Sequence, residues 1–242
     1  MKMLLISITI LAFSSNSHSQ SEKGTLQIDS EPGGIIEAKQ LTKGSRIGSF
    51  YYSPEWARGN VQLSQSRLLS NQILRYDTYN NTIELKSIKT NRVLLLLCND
   101  VISFDMTDSS GFNHKFINSN KFPSIEEKNA RSLDGFFEIL VDDEFIKLLS
   151  KTTTSILKSN YNMALGVGEK NDAVIKTESF YIFRNNSLLE VPKRKRVFLE
   201  YFSSEENKLA EFMNEEKLRV TDKEDLIKLV KFLTPNDLSR NQ

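Results

Sequence analysis

The stretch Phe180-Tyr181-Ile182-Phe183-Arg184, Asn185-Asn186, Ser187-Leu188-Leu189-Glu190-Val191 is an apolar run, two asparagines and a second apolar run. Asparagine and aspartate tolerate the positive φ that tight hairpin turns demand, so this stretch predicts a β-hairpin. The pattern recurs at Tyr76-Asp77-Thr78-Tyr79, Asn80-Asn81, Thr82-Ile83-Glu84-Leu85, and at Phe136 to Val141, Asp142-Asp143, Glu144 to Leu148. Three repetitions make antiparallel β the dominant class. Val93–Cys98 and Val101–Asp105, joined at Asn99-Asp100, predict a fourth hairpin. Upstream, Gly48–Tyr52 and Asn60–Leu63 are short β candidates, and Leu68–Tyr79 is a longer, less regular one.

After Val191 the period changes. Val197, Phe198, Tyr201 and Phe202 recur at helical spacing. Ser203-Ser204-Glu205-Glu206 has the form of a capping box and opens a second helix carrying Leu209, Phe212 and Met213 on one side. Thr221-Asp222-Lys223-Glu224 opens a third, with Leu226, Leu229, Val230 and Leu233 on one face and Pro235 as its stop. Residues 118–133 and 158–178 lack periodicity and read as long loops. The expected fold is α+β: a large bent antiparallel β-sheet or partly open barrel built from hairpins, closed by about three C-terminal helices. Residues 1–19 are expected to be a signal peptide, 20–34 a polar leader and 35–191 the β region. Residues 192–242 are the helical part, packed on the same domain.

The signal reading rests on Lys2, the apolar run Met3–Phe13 and the small polar residues that follow, with an apolar core too short to span a bilayer. Cleavage is expected between Ser19 and Gln20. Losing Lys2 takes the basic count from 32 to 31, equal to the acidic count, so no global charge pulls the chain toward nucleic acid or acidic membranes. No later segment is long and apolar enough for a transmembrane helix. Cys98 is the one cysteine, which leaves no internal disulfide, and no cysteine stands at the cleavage point to carry a lipid. It follows the apolar run Val93–Leu97 and reads as a small hydrophobe on a buried strand.

Little chemistry is indicated. Past the leader, His114 is the single histidine, with no nucleophile-elbow pattern around any serine. It reads as a solvated or strand-edge residue, so no catalytic residue is assigned. Asp105–Gly111 fails the calcium-loop pattern and predicts a turn. The set of ligands is too small for a closed zinc site, so no metal and no cofactor is expected. Glu126-Glu127 and Asp134/Glu138 are the nearest carboxylate pairs for acid–base work. Gly166-Val167-Gly168-Glu169-Lys170 lacks the setting of a nucleotide loop and reads as a flexible loop.

Two clusters are candidate binding residues. Tyr51, Tyr52 and Trp56 group around Pro54, with Tyr76 and Tyr79 nearby; aromatic rings with polar tips are favoured at binding surfaces and are equally strand formers. Lys193, Arg194, Lys195 and Arg196 lie at a helix start, where cations oppose the dipole. They suit an acidic partner or lipid headgroups, or a solvated face offset by Glu200, Glu205 and Glu206.

The segments GSFYYSPEWARGNVQL (48–63) with RYDTYNNTIELK (75–86), GFFEILVDDEFIKLLSK (135–151), FYIFRNNSLLEVPKRKRVFLEYF (180–202) and KLAEFMNEEKLRVTDKEDLIKLVKFL (208–233) resemble, in that order, a family of exported, uncharacterised proteins common in Bacteroidetes. They cover roughly half of the chain beyond the signal. Asp142-Asp143 and Asn185-Asn186 stand where that family has an Asp-Gly-type turn. The resemblance implies export to the periplasm or beyond and an α+β architecture, and it carries no activity or catalytic residues. The expected function is a non-catalytic exported envelope protein acting as a binding or interaction module, with an envelope protein or an anionic surface as partner. Carriage of a small apolar ligand in a curved-sheet pocket is the alternative, and a hydrolase using His114 or carboxylates is the third reading.

Overall fold

The computed structural model describes residues 35–37, 46–64, 66–88, 90–122 and 133–234; the signal peptide, the polar leader, Glu126-Glu127 and Pro235 lie outside them. The strands are β1 (Ile35–Glu37), β2 (Arg46–Ile47), β3 (Ala57–Leu63), β4 (Leu68–Asp77), β5 (Thr82–Lys86), β6 (Val93–Leu97), β7 (Val101–Thr107), β8 (Asn113–Asn118), β9 (Phe136–Asp142), β10 (Ile146–Leu157), β11 (Asp172–Arg184) and β12 (Ser187–Glu190). The helices are α1 (Lys195–Tyr201), α2 (Glu206–Glu215) and α3 (Lys223–Phe232). All strands join one sheet in the order β1-β6-β5-β4-β3-β7-β8-β9-β10-β11-β12, with β2 parallel to β11 and every other pairing antiparallel. The sheet is open, with β1 and β12 at its edges. The fold is α+β.

The asparagine turns explain two of the hairpins. Asn185 and Asn186 take φ 52° and 59°, the double left-handed turn that matches strand twist, and Arg184 pairs with Ser187 across it. Between β4 and β5, Asn81 takes φ 53° while the Asp77 carboxylate accepts the amides of Tyr79 and Asn80. The Asp142-Asp143 turn is longer than expected. β9 runs through Asp142, β10 starts only at Ile146, and Asp143 Oδ1 caps the amide of Phe145.

The fourth expected hairpin does not form. β6 pairs with β5 and β1, whereas β7 pairs with β3 and β8. The one-turn 3-10 segment Cys98–Asp100 carries the chain between strands that lie four places apart in the sheet. Along a flat sheet those places span about 19 Å, while a 3-10 turn of this length rises about 6 Å. The link can close only because the sheet coils on itself. Asn118 Nδ2 clips the turn in place by donating to the carbonyls of Cys98 (2.8 Å) and Val101 (2.9 Å).

Coiling creates an inside. Phe104 and Phe116 are register partners on β7 and β8 and stack at 4.5 Å; Tyr76 and Phe136 meet them edge-on. Leu74, Ile83, Leu96 and Met106 fill the remainder, all at 0% exposure. Over β9–β11, the same sheet is covered by the helices: Leu148 and Ile182 pack with Phe198, Phe202, Leu209, Met213, Leu226, Leu229 and Val230. Burying those faces is what holds helices this short, which are marginal alone in water.

The helix starts differ from expectation. Ser203 caps nothing: α2 begins at Glu206, and Glu205 is held instead by Arg184 at 2.9 Å. At α3 the cap is Asp222, one residue past Thr221, accepting the amides of Glu224 and Asp225. Gly48–Tyr52 is not a strand, and its β-bridge to the sheet is Tyr51 to Asp77. Residues 172–178, expected as loop, extend β11 into an arm with β10, which β2 joins at Asp172–Ala173, and residues 119–121 form a second 3-10 turn. Past Ser150 that arm has no β9 beside it, so few of its side chains are buried and no apolar alternation marks it. No described helix is long and apolar enough to cross a membrane.

Candidate functional site

His114 lies on β8 opposite Met106 of β7, beyond the Phe116–Asn118 stretch that pairs with β9, and its ring is 16% exposed. Its Nδ1 is 2.6 Å from Glu138 Oε1 and its Nε2 3.2 Å from Asp108 Oδ2. A ring carrying both protons donates to both carboxylates; a neutral ring donates to one. Glu138, only 4% exposed, also accepts from the Tyr52 hydroxyl (3.0 Å) and from Lys223 Nζ (3.2 Å) at the start of α3. Lys223 reaches on to Glu178 of β11 (3.1 Å), which accepts the Ser150 hydroxyl of β10. The cluster therefore ties four strands, the 50–52 segment and α3 together. Burial and the Glu138 charge push the Tyr52 hydroxyl far above its ordinary pKa. Burial opposes the Lys223 charge, but Glu138 and Glu178 outweigh it and raise its pKa. Every oxygen of Glu138 has a partner, so a general base there would first have to break an ion pair. Asp134 does not join Glu138 in this cluster; its backbone carbonyl receives Lys151 Nζ.

The aromatic cluster divides. Tyr76 is core, and Tyr52 belongs to the polar cluster, its ring edge-on to Phe116 at 5.0 Å. Tyr51 and Trp56 are on the outer face, where Arg75 of β4 lies against both rings, 3.5 Å from one centroid and 4.3 Å from the other. Glu84, directly across from Arg75 on β5, takes two of its N–H groups and the Tyr51 hydroxyl. Burial, with Glu84 beside it, pushes the Tyr51 hydroxyl up to about 12. Trp56 thereby becomes a fixed wall of a groove of about 460 Å³, completed by Ala57, Arg58, Ile73, Lys86 and Ile88. Lys86 Nζ sits 5.9 Å over the indole, Arg58 bonds only Asn71, and neither cation has a carboxylate partner among the described residues.

The basic run is only partly free. Arg196 pairs with Glu200 one turn on (2.9 Å) and Lys195 donates to Asn214 of α2 (2.6 Å), which leaves Lys193 and Arg194 exposed without an ion-pair partner among the described residues. Cys98 opens the 3-10 turn and does not sit on the strand; burial raises its thiol pKa. The Asp108 carboxylate organises the expected turn after β7, accepting from Ser110 and Phe112. Among the described residues no three metal-ligating side chains are grouped to hold an ion.

Sequence reading missed Glu138 and Asp108 as partners of His114, Lys223 and Glu178 as the extension of that cluster, and Arg58, Ile73, Lys86 and Ile88 as the groove. Two signals were present: Glu138 is a lone charge inside Phe136–Val141, and Lys223 is a cation at a helix start. No protein-family profile, curated protein or solved structure matches the chain.

Proposed function

We propose that the chain is an exported, non-catalytic binding module of the cell envelope, periplasmic or secreted, whose ligand seats against Trp56 on the outer face of β3–β5. The groove carries the reading: a rigid indole and two isoleucines form an apolar floor and walls, and two unneutralised cations stand at the rim. Such a lining suits a compact anion with an apolar or aromatic body, because the body displaces water from the floor while the charge meets Arg58 and Lys86. The signal layout and the resemblance to exported Bacteroidetes proteins support the envelope location. The committed partners of Glu138 and His114 favour a structural role for the polar cluster over catalysis. Carriage inside the sheet is disfavoured because stacked rings fill that space.

The probe is anilinonaphthalene sulfonate, an aromatic body bearing one anionic group. It should bind at one saturable site and quench Trp56, with affinity falling about tenfold or more in W56A and in the double variant R58M/K86M. Equal affinity for the wild type and W56A would remove the groove from consideration.

A further inference from the structure

Past Asp172–Ala173, where β2 pairs with β11, the β10–β11 arm ends in a compact apolar turn. Residues 163–166 form a turn closed by a bridge between Asn162 and Val167. Asn162 Oδ1 accepts the amides of Ala164 (3.0 Å) and Leu165 (3.2 Å), and its carbonyl accepts Gly166 N (2.9 Å). Gly166 supplies the φ of +67° that brings the chain back. Three amides of the turn are thus satisfied within it, while its side chains face outward: Met163 is 87% exposed, Leu165 71% and Val167 57%. From Tyr161 to Gly168 there is no charged residue; Lys158, Glu169 and Lys170 stand behind. Lys170 lies 4.8 Å over the Tyr161 ring, an aromatic–cation pair at the apolar–polar boundary.

We infer that this tip, Tyr161–Gly168, enters the interfacial zone of a lipid bilayer and holds the protein there reversibly. A backbone nearing hydrocarbon is less costly the more of its hydrogen bonds it brings with it, and this turn brings those of Ala164, Leu165 and Gly166, a number suited to the headgroup level. Aromatic and lysine side chains favour the headgroup level, where Tyr161 and Lys170 would stand. A protein partner fits less well. The apex is convex, and three side chains fall well short of the ~800 Å² per partner that a stable interface buries. Binding of this kind is driven by apolar contact and so is insensitive to salt, unlike attraction through Lys193 and Arg194.

The test uses the full chain carrying L165W, with the unsubstituted protein, whose tryptophan is Trp56 alone, as the baseline. Both are mixed with phosphatidylcholine vesicles containing brominated acyl chains, with and without one quarter phosphatidylglycerol, at low and high salt. The expected result is quenching of the residue-165 emission well above baseline in both compositions and at both salts. Adding M163E and V167E should raise the lipid concentration for half-quenching at least tenfold while the melting temperature stays unchanged. Quenching no greater than baseline overturns the inference. Quenching seen only with phosphatidylglycerol and lost at high salt overturns it too, assigning the contact to charge.

Discussion

Replacing Lys223 with methionine tests whether the polar cluster clasps the helices to the sheet. Lys223 is the first helical residue of α3, where a cation costs about 0.3–1 kcal/mol against the dipole, so the helix gains locally from its loss. The tertiary cost runs the other way. Stripping one partner from a buried ion pair costs about 3–5 kcal/mol when it strands the other charge. Glu138 keeps the Tyr52 and His114 hydrogen bonds, and Lys223 is 32% exposed, which together bring that figure down to about 2–3 kcal/mol. The more open Glu178 contact adds a few tenths at most. After the dipole gain, K223M should lose about 1–3 kcal/mol, read as a lower urea midpoint at unchanged slope and a melting temperature about 2–12 °C lower. A double-mutant cycle with E138Q should show coupling above about 0.5 kcal/mol. The raised pKa adds a sign: the Lys223 contribution is complete below the unfolded value near 10.4 and is lost as pH rises through the higher folded value. A K223M protein within 0.5 kcal/mol of wild type, or strict additivity with E138Q, would refute the clasp.

Three further outcomes follow from the geometry. A Cβ on Gly59 would sit 1.8 Å from the Asp105 carbonyl oxygen across the β3–β7 pairing, so G59A should cost about 3 kcal/mol in urea unfolding. Valine at Asn185 must enter the left-handed region, and N185V should cost about 1–2 kcal/mol by thermal melting. Lys151, buried with its ammonium on the Leu133 and Asp134 carbonyls, has its pKa pushed down to about 8 by burial. Between about pH 8 and 9.5 the unfolded chain therefore holds the extra proton, and stability of the wild type relative to K151M should rise with pH; a flat difference would count against that burial.

The turn asparagines made the fold class legible, because a positive φ at Asn81, Asn185 and Asn186 is a local demand met by local residues. The helices were legible for a similar reason: their apolar faces repeat within one turn of each other, and that face is buried. What stayed hidden depends on distant partners. Nothing near Cys98 says that β5, β4 and β3 intervene between β6 and β7, so adjacency in sequence suggested a hairpin that the sheet order refuses. The far half of β11 escaped notice because none of residues 172–178 is buried, so no apolar alternation marks it. At the candidate site, Trp56 was legible as an aromatic near a proline, but the Arg75 that fixes it, 19 positions on, becomes its neighbour only through the β3–β4 pairing. His114 was read from its isolation, while its partners come from β9 and the turn after β7.

The place of β3 beside β7 also shapes how the molecule comes together. Pairing from β3 through β6 is between sequence neighbours, and so is pairing from β7 through β12. The two meanders share one strand pairing, β3 with β7, where Val61 meets Phe104, 43 positions along the chain. Local hairpins close in microseconds, whereas a loop of that length must be closed before the seam yields any contact. The docking of β7 onto β3 is the step that makes them one protein, because it brings Phe104, Met106 and Phe116 against Leu74, Tyr76 and Ile83 in a shared core. The amides along that seam report on the joint survival of both halves, so their exchange with solvent tracks global opening while the outer hairpins breathe independently.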